Sequence, residues 1–206
     1  GEGYSPAVLS KDELKLLTKL KDLSFKDISF PQQIEGELPA WISDKLSSTW
    51  GPNFLIESVA LNQPATLDLR VNTLKVDCGR ALQILKKDKI KAEITRLSPI
   101  GLRIQDRVNL QASTALKSGF VEIQDEGSQL ISLLVETKAN MKTIDLCAGG
   151  GGKTLALGAI MKDGGPLIAC DIDADRLKRL KSRLKRGGIS NVTQHCIEGD
   201  NDTWYS

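Results

Sequence analysis

The chain has 206 residues, of which 40% are hydrophobic and 26% are charged, and its formal net charge is +2 at pH 7. This length and composition allow one or two domains with hydrophobic cores. No apolar run approaches the ~20 residues that a membrane-spanning helix needs, so we expect a soluble protein without a membrane partner. The small net charge does not by itself indicate a nucleic-acid partner.

The four cysteines lack the spacings of disulfide-exchange or zinc-binding motifs; they are Cys78, Cys147, Cys170 and Cys196. We therefore expect reduced thiols, no bound metal and a cytoplasmic location. The single histidine, His195, lies in a predicted strand without an acidic or metal-binding partner nearby. We interpret it as a packed or solvent-facing side chain.

Helical signals dominate residues 1–62, which we predict to be a helical lead-in. Ser10 and Glu13 form a capping box ahead of leucines at helical spacing, and this pattern predicts an amphipathic helix. Pro39 begins a second helix, and a short third helix is predicted over residues 54–61.

A small α/β domain is predicted over residues 63–117, where a Lys-Ser-Gly sequence marks its end. Alternating apolar and polar side chains predict a strand over 67–75. A helix over 78–87 and two strands over 93–97 and 102–104 follow.

Residues 118–206 have the βαβαβ alternation of a parallel, doubly wound sheet. The predicted elements are a first helix over 126–136, strands over 143–147, 166–171 and 192–197, and helices over 152–162 and 174–186. A ligand of such a sheet lies at the carboxyl ends of the strands. We expect this sheet to stop after its third strand.

The segment Asp-Leu-Cys-Ala-Gly-Gly-Gly-Gly-Lys-Thr at 145–154 carries the strongest functional signal, because a strand runs into four glycines and then a helix. Glycine adopts positive φ and lets the backbone approach a ligand, at which the first amides of the helix are directed. Each glycine lowers the stability of a helix or strand by up to about 1 kcal/mol relative to alanine and has no side chain to pack. Four in a row therefore favour a cofactor-binding turn over an ordinary strand-to-helix turn.

Spacing separates the classes of cofactor. A P-loop requires glycine where this chain has Cys147, and a dinucleotide fingerprint that starts at Gly149 requires a third glycine where Thr154 stands. Both departures argue against a nucleoside triphosphate or NAD. The next predicted strand ends in Asp171, and a carboxylate there can accept hydrogen bonds from both hydroxyls of a ribose.

These motifs resemble those of the class I S-adenosylmethionine methyltransferases and, among them, the Sun/Fmu (NOL1/NOP2) family of RNA cytosine-5 methyltransferases. The family's Asp-Leu-Cys-Ala, two small residues and Gly-Gly-Lys-Thr match residues 145–154, with Gly150 where many members have proline. Val121–Gln129 resembles the segment before the family's first strand, and Leu67–Lys75 resembles its amino-terminal domain. The resemblance covers roughly residues 35–200 of the chain.

The resemblance implies an α/β fold in which a small ferredoxin-like, RNA-recognition-type domain precedes a truncated class I methyltransferase Rossmann-like parallel sheet. It also implies S-adenosyl-L-methionine as cofactor. The cofactor contacts that it assigns are Cys147, Ala148, Gly149, Gly150, Gly151, Gly152, Lys153, Asp171 and Asp200. In this assignment the loop surrounds the methionine moiety, Asp171 binds the ribose hydroxyls, and Asp200 faces the adenine amino group.

An RNA partner is also implied by the resemblance, and rRNA is favoured over tRNA. The implied RNA contacts are Arg70, Asn72 and Lys75, although an ordinary exposed strand edge would carry the same residues. The helix over 174–186 is strongly basic, but its leucines form one buried stripe, so we interpret its charges as a solvated face.

Methylation of cytosine C5 needs covalent activation, in which a cysteine thiolate adds to C6 and the carbanion-like C5 takes the methyl group. In the family this thiol belongs to a Thr-Cys-Ser segment, and a second cysteine in an Asp-Ala-Pro-Cys segment helps to release the product. The sequence contains neither segment. We therefore assign no catalytic residue, reject Cys147 as the nucleophile, and expect an inactive fragment of a longer enzyme that is monomeric at full length.

Two other functions stay open. A non-catalytic RNA-binding module would retain the amino-terminal domain, but its glycine loop and Asp171 would not need to be intact. Another S-adenosylmethionine-dependent methyltransferase, acting on protein or a small molecule, would share the loop but would not need residues 67–75 or the Gln124-Asp125 segment. Methylation assays of the full-length protein on RNA and on protein separate these possibilities.

Overall fold

The computed structural model describes residues 9–21, 30–106 and 108–199. The chain divides into two compact units, the first of which ends at Pro64. The helices of the first unit are α1 (Lys11–Leu20), α2 (Gln32–Glu35), α3 (Ala40–Trp50) and α4 (Phe54–Asn62). In the described ranges, none of the helices has the length and apolar character needed to cross a membrane.

The three helices predicted for the first unit are present as α1, α3 and α4, whereas the short helix α2 was not predicted. The Ser10 amide donates to the Glu13 carboxylate at 2.7 Å, and the Glu13 amide donates to Ser10 Oγ at 3.3 Å, which completes the capping box of α1. Helix α3 follows Pro39 and ends where Gly51 adopts a φ of +51°. These signals act over three or four residues, so they are visible in the sequence.

The second unit begins with an antiparallel sheet of four strands in the order β2-β3-β1-β4. Its elements are β1 (Leu67–Val71), α5 (Cys78–Lys87), β2 (Ala92–Ile94), β3 (Gly101–Ile104), α6 (Thr114–Lys117) and β4 (Val121–Ile123). The core between this sheet and its helices includes Leu69, Leu85, Leu102 and Val121. Burial of each such side chain stabilises the fold by roughly 1.5–3 kcal/mol.

Three boundaries in this sheet differ from the expected ones, and the first is that β2 covers Ala92–Ile94 rather than 93–97. Strand β1 ends at Val71 rather than at Lys75, because Asn72 begins a turn in which its side-chain oxygen accepts the Leu74 amide at 3.2 Å. The sheet also extends beyond residue 117, since β4 pairs with β1. The division into domains at residue 117 stays a prediction.

A second sheet follows, with three parallel strands in the order β5-β6-β7. Its elements are α7 (Glu126–Leu134), β5 (Thr143–Asp145), α8 (Gly152–Ile160), β6 (Leu167–Asp171), α9 (Ala174–Gly187) and β7 (Val192–Cys196). The predicted α/β fold and the parallel alternation are confirmed. Strand β5 is shorter than predicted, because Leu146 and Cys147 already belong to the turn.

Helix α9 packs its predicted apolar stripe against the parallel sheet. Leu177, Leu180 and Leu184 are buried in one cluster with Leu155 of α8 and Ala169 of β6. This packing positions α9 directly behind the glycine-rich turn.

Candidate cofactor site

The glycine-rich turn connects the carboxyl end of β5 to the first residue of α8. Gly149 and Gly151 have φ of +55° and +83°, which glycine adopts without the steric penalty of a Cβ. At Gly151 a Cβ would also lie 2.1 Å from Leu180 Cδ1. Glycine is therefore required at Gly151 both by the backbone conformation and by the packing of α9.

Backbone hydrogen bonds attach this turn to the neighbouring strand. The Ala148 amide donates to the Cys170 carbonyl in β6, and the Gly151 amide donates to the Ala148 carbonyl, both at 2.8 Å. The first helical hydrogen bond of α8 runs from the Leu155 amide to the Gly151 carbonyl at 2.9 Å. The amides of Gly152 and Lys153 precede this bond, so the helix directs them at the mouth of the turn.

Asp171 ends β6 and lies against the turn, as the motif spacing predicts. Its Oδ2 accepts the Gly149 amide at 2.7 Å, and its Oδ1 accepts the Asp173 amide at 2.9 Å. These two backbone hydrogen bonds lower the pKa of the Asp171 carboxyl below its ordinary value. Asp171 is thus ionised at neutral pH, and each oxygen keeps a lone pair for a further donor such as a hydroxyl.

Asp145 closes the turn from its other end. Its Oδ2 accepts a hydrogen bond from Thr154 Oγ1, which is buried in the first turn of α8, at 2.7 Å. This bond joins the last residue of β5 to the helix that follows, so the two ends of the turn are held at a constant separation.

The remaining predicted cofactor contacts are distributed around the turn. Cys147 and Lys153 are exposed, Ala148 is buried, and Gly149 and Gly150 are partly buried. Asp200 lies outside the described residues. Direct contacts of this set with a cofactor stay a prediction, while the proximity of the turn to Asp171 is a feature of the structure.

The side chains predicted to contact RNA instead form hydrogen bonds within the protein, and two of them are buried. Arg70 is 1% exposed and donates from Nε to Gln124 Oε1 at 2.7 Å, and Asn72 is 3% exposed. Asn72 Nδ2 donates to the carbonyls of Gly119 and Gly187, and Lys75 Nζ donates to the carbonyls of Ser118 and Arg186. In this conformation Asn72 and Lys75 connect the antiparallel sheet to the end of α9, whereas Arg70 bonds to Gln124 directly after β4. RNA contact by these three side chains stays a prediction.

Burial also affects the electrostatics of this joint. It lowers the pKa of the Arg70 guanidinium to about 10, and the neighbouring charge of Arg183 acts in the same direction. Glu122 opposes this shift by favouring the charged form. A cluster of arginines around one carboxylate thus lies between the two sheets.

The sequence did not predict one hydrogen bond between the turn and α9. Arg183 of α9 donates from Nη1 to the Gly150 carbonyl at 2.5 Å. The basic composition of α9 predicted a solvated face, and nothing local in the sequence separates Arg183 from the lysines and arginines around it. The four cysteines are not joined in disulfides, as expected, and His195 lies partly buried in β7.

Two models of one methyltransferase family match the chain. The model of the ferredoxin-like domain of RsmF/B-like methyltransferases matches residues 38–111. The model described as 16S rRNA methyltransferase RsmB/F matches residues 132–205, which include the glycine-rich turn and Asp171.

Individual proteins agree with these models. The chain is 32% identical over 124 residues to the 25S rRNA (cytosine-C(5))-methyltransferase NSUN5 of Arabidopsis thaliana. The aligned residues make up 60% of this chain and 22% of that protein. The chain is also 26% identical over 151 residues to ribosomal RNA small subunit methyltransferase B of Pseudomonas syringae pv. tomato, covering 73% of this chain and 34% of that protein. The chain therefore spans about a fifth to a third of the length of these two relatives.

Solved structures show the same arrangement. The crystal structure of PH0851 superposes with a TM-score of 0.76 at 27% identity, over 89% of this chain and 42% of that chain.

Proposed function

The chain belongs to the Sun/Fmu family of RNA cytosine-5 methyltransferases, and we propose that it forms the S-adenosyl-L-methionine-binding part of such an enzyme. The observation that carries this proposal is the hydrogen bond from the Gly149 amide to Asp171 at the carboxyl edge of the parallel sheet. It places an ionised carboxylate beside a turn of small residues, as a cofactor with both a ribose and a charged amino-acid end requires.

The residues of the turn fit this cofactor. The amides of Gly152 and Lys153 at the start of α8 suit the carboxylate of the methionine moiety, and the exposed ammonium group of Lys153 adds positive charge. Asp171 would accept the ribose hydroxyls with the lone pairs that its backbone hydrogen bonds leave. When bound, S-adenosylmethionine supplies an electrophilic methyl group.

The proposed substrate is RNA, and rRNA in preference to tRNA. Support comes from the matching model of an RsmB/F rRNA methyltransferase and from the two relatives that are described as rRNA methyltransferases. We place the enzyme in the cytoplasm and describe the full-length protein as a monomer without a metal. The four cysteines, none of which is in a disulfide, support a reducing compartment.

Within these 206 residues we assign no catalytic nucleophile. Cys147 lies at the start of the turn that would surround the methionine moiety. Its thiol would therefore lie near the cofactor and away from the target base. A nucleophilic thiol must come within bonding distance of C6 of an accessible cytosine, whatever its pKa.

Calorimetry tests the proposed cofactor. The chain is titrated with S-adenosylmethionine, S-adenosylhomocysteine, ATP and NAD under the same conditions. We expect heat from the first two ligands only. Binding of ATP or NAD in place of the methionine-containing ligands would contradict the proposal.

A further inference from the structure

Arg183 lies between the glycine-rich turn and the antiparallel sheet. Its Nη1 donates to the Gly150 carbonyl at 2.5 Å, while its Nε and Nη2 donate to Glu122 Oε2 at 3.2 and 2.9 Å. Glu122 belongs to β4, and its side chain is 5% exposed, against 24% for Arg183. One guanidinium thus connects strand β4 to the turn.

The peptide group that Arg183 contacts is held at both of its ends. The Gly150 carbonyl belongs to the same planar unit as the Gly151 amide, which donates to the Ala148 carbonyl at 2.8 Å. This unit joins two glycines, Gly150 and Gly151, the second of which has a positive φ, and glycine backbone has more freedom to rotate than that of other residues. Fixing both its donor and its acceptor removes that freedom.

Glu122 fixes Arg183 in turn. Its Oε2 accepts two bonds from Arg183, and its Oε1 accepts Arg186 Nη2 at 2.5 Å. Two donors of one planar guanidinium that converge on the same carboxylate oxygen define direction as well as attraction. A buried ion pair contributes little net stability compared with apolar residues of similar volume. The main effect of Glu122 on Arg183 is therefore to orient its guanidinium.

We propose that Arg183 is a positioning residue for the cofactor-binding turn, and that Glu122 holds it in place. The antiparallel sheet thereby contributes to cofactor affinity through Glu122, Arg183 and the Gly150 carbonyl, without touching the cofactor. Asp171 independently holds the preceding residue of the turn by accepting the Gly149 amide. The proposal rests on the proposed function for its ligand, S-adenosylmethionine, but the ordering of the turn is independent of that ligand.

Arg186 provides a matched control. It pairs with the other oxygen of Glu122 and is similarly exposed, but the bond to Gly150 belongs to Arg183. We compare Arg183→Met with Arg186→Met by the melting temperature, by calorimetry with S-adenosylmethionine, and by hydrogen exchange of the turn amides without ligand. Arg183→Lys serves as a second variant, since its ammonium group can still donate to the Gly150 carbonyl.

We expect both methionine variants to lose similar stability. Arg183→Met should weaken cofactor binding by about tenfold or more and speed exchange of the Gly149 and Gly151 amides, as loss of one charge-assisted hydrogen bond predicts. Arg186→Met should change affinity by less than about twofold, and Arg183→Lys should restore part of the protection. Equal affinity losses and equal exchange in the two methionine variants would overturn the proposal.

The exchange measurement separates this inference from the proposed function. If the wild-type chain binds no S-adenosylmethionine but Arg183→Met alone loosens the turn, the positioning role stands and the assignment of the cofactor fails. If the wild-type chain binds it and Arg183→Met behaves as Arg186→Met does, the positioning role fails alone. Should Arg183→Met not fold, Arg183→Gln against Arg186→Gln gives the same comparison, because the shorter, uncharged side chain removes the guanidinium in both variants.

Discussion

The carboxylate of Asp171 accepts a hydrogen bond from the amide of Gly149, with 2.7 Å between Oδ2 and N. Gly149 lies in the turn between β5 and α8, whereas Asp171 is the last residue of β6, and the parallel pairing of β5 with β6 brings them together. This contact orders the turn before any ligand binds and leaves an anionic oxygen beside it. Preorganisation of this kind reduces the ordering that binding requires.

Replacing Asp171 by Asn should weaken binding of S-adenosylmethionine by about tenfold or more, because it removes a charged acceptor and one oxygen. The amide group of Asn would also face a backbone amide that donates, either Gly149 or Asp173. Calorimetry gives the dissociation constant. Asp175→Asn on the exposed part of α9 is the control, and equal constants for the two variants would exclude Asp171 from the site.

Gly151→Ala should destabilise the chain by about 2 kcal/mol or more, because it combines a left-handed residue with a clash in a packed core. The added Cβ would lie 2.1 Å from Leu180 Cδ1. At Gly152 the nearest side-chain atom to a Cβ is Gln124 Nε2 at 3.8 Å, an ordinary contact, so Gly152→Ala should be tolerated. Urea unfolding of both variants measures the difference, and equal midpoints would refute the packing argument.

The Asp68–Arg103 pair should make stability depend on pH in the acid range. Asp68 is buried and accepts Arg103 Nε at 2.8 Å and Nη2 at 3.0 Å. Hydrogen bonding to Arg103 lowers the pKa of Asp68 below its ordinary value. The folded state therefore binds this proton less readily than the unfolded state, so the stabilisation is complete above the unfolded pKa of about 3.9 and is lost as pH falls below it.

Asp68→Asn tests this linkage. It should lower the free energy of unfolding at pH 7 by about 1–3 kcal/mol, a range that allows for the partial exposure of Arg103. Its stability should also fall less steeply than that of the wild type below the ordinary carboxylate pKa. Denaturant titrations between neutral and acid pH provide both values, and parallel curves for the two proteins would contradict the assignment.

Cys147 should not trap RNA. A chain of these 206 residues is expected to form no covalent adduct with RNA that contains 5-fluorocytidine or 5-azacytidine, and to transfer no methyl group, because its exposed thiol lies at the cofactor turn. A denaturing gel with wild type beside Cys147→Ser detects the adduct. A shifted band that requires Cys147 would make it the nucleophile.

The 206-residue chain should also self-associate. Among the described residues β5 pairs with β6 alone, and Ile144 and Leu146 in and after β5 are exposed. Parallel sheets bury both faces, and unpaired edges with apolar side chains promote association. Sedimentation velocity should show oligomers that Ile144→Thr with Leu146→Ser reduces. A monodisperse wild-type monomer with a sharp melt at high temperature would contradict this.

Much of the fold could be predicted from local sequence signals. The capping box at Ser10, the proline before α3 and the leucine stripe of α9 each act over a few residues, and the structure places their elements where they indicate. The βαβαβ alternation determines parallel pairing, because a crossover helix returns the chain in the same direction. That pairing places Asp171 beside the glycine turn, so this part of the site was also predictable.

Only the tertiary structure decided which polar residues face inward. Arg70, Asn72 and Arg183 have the composition of surface residues, yet each bonds to a group at least 33 positions away in the sequence. Such partners have no fixed spacing in the sequence, because they depend on how β4 and α9 contact each other in the folded chain. The glycine-rich turn and the acid beside it were therefore visible in the sequence, whereas the contact between α9 and β4 brings Arg183 to the turn.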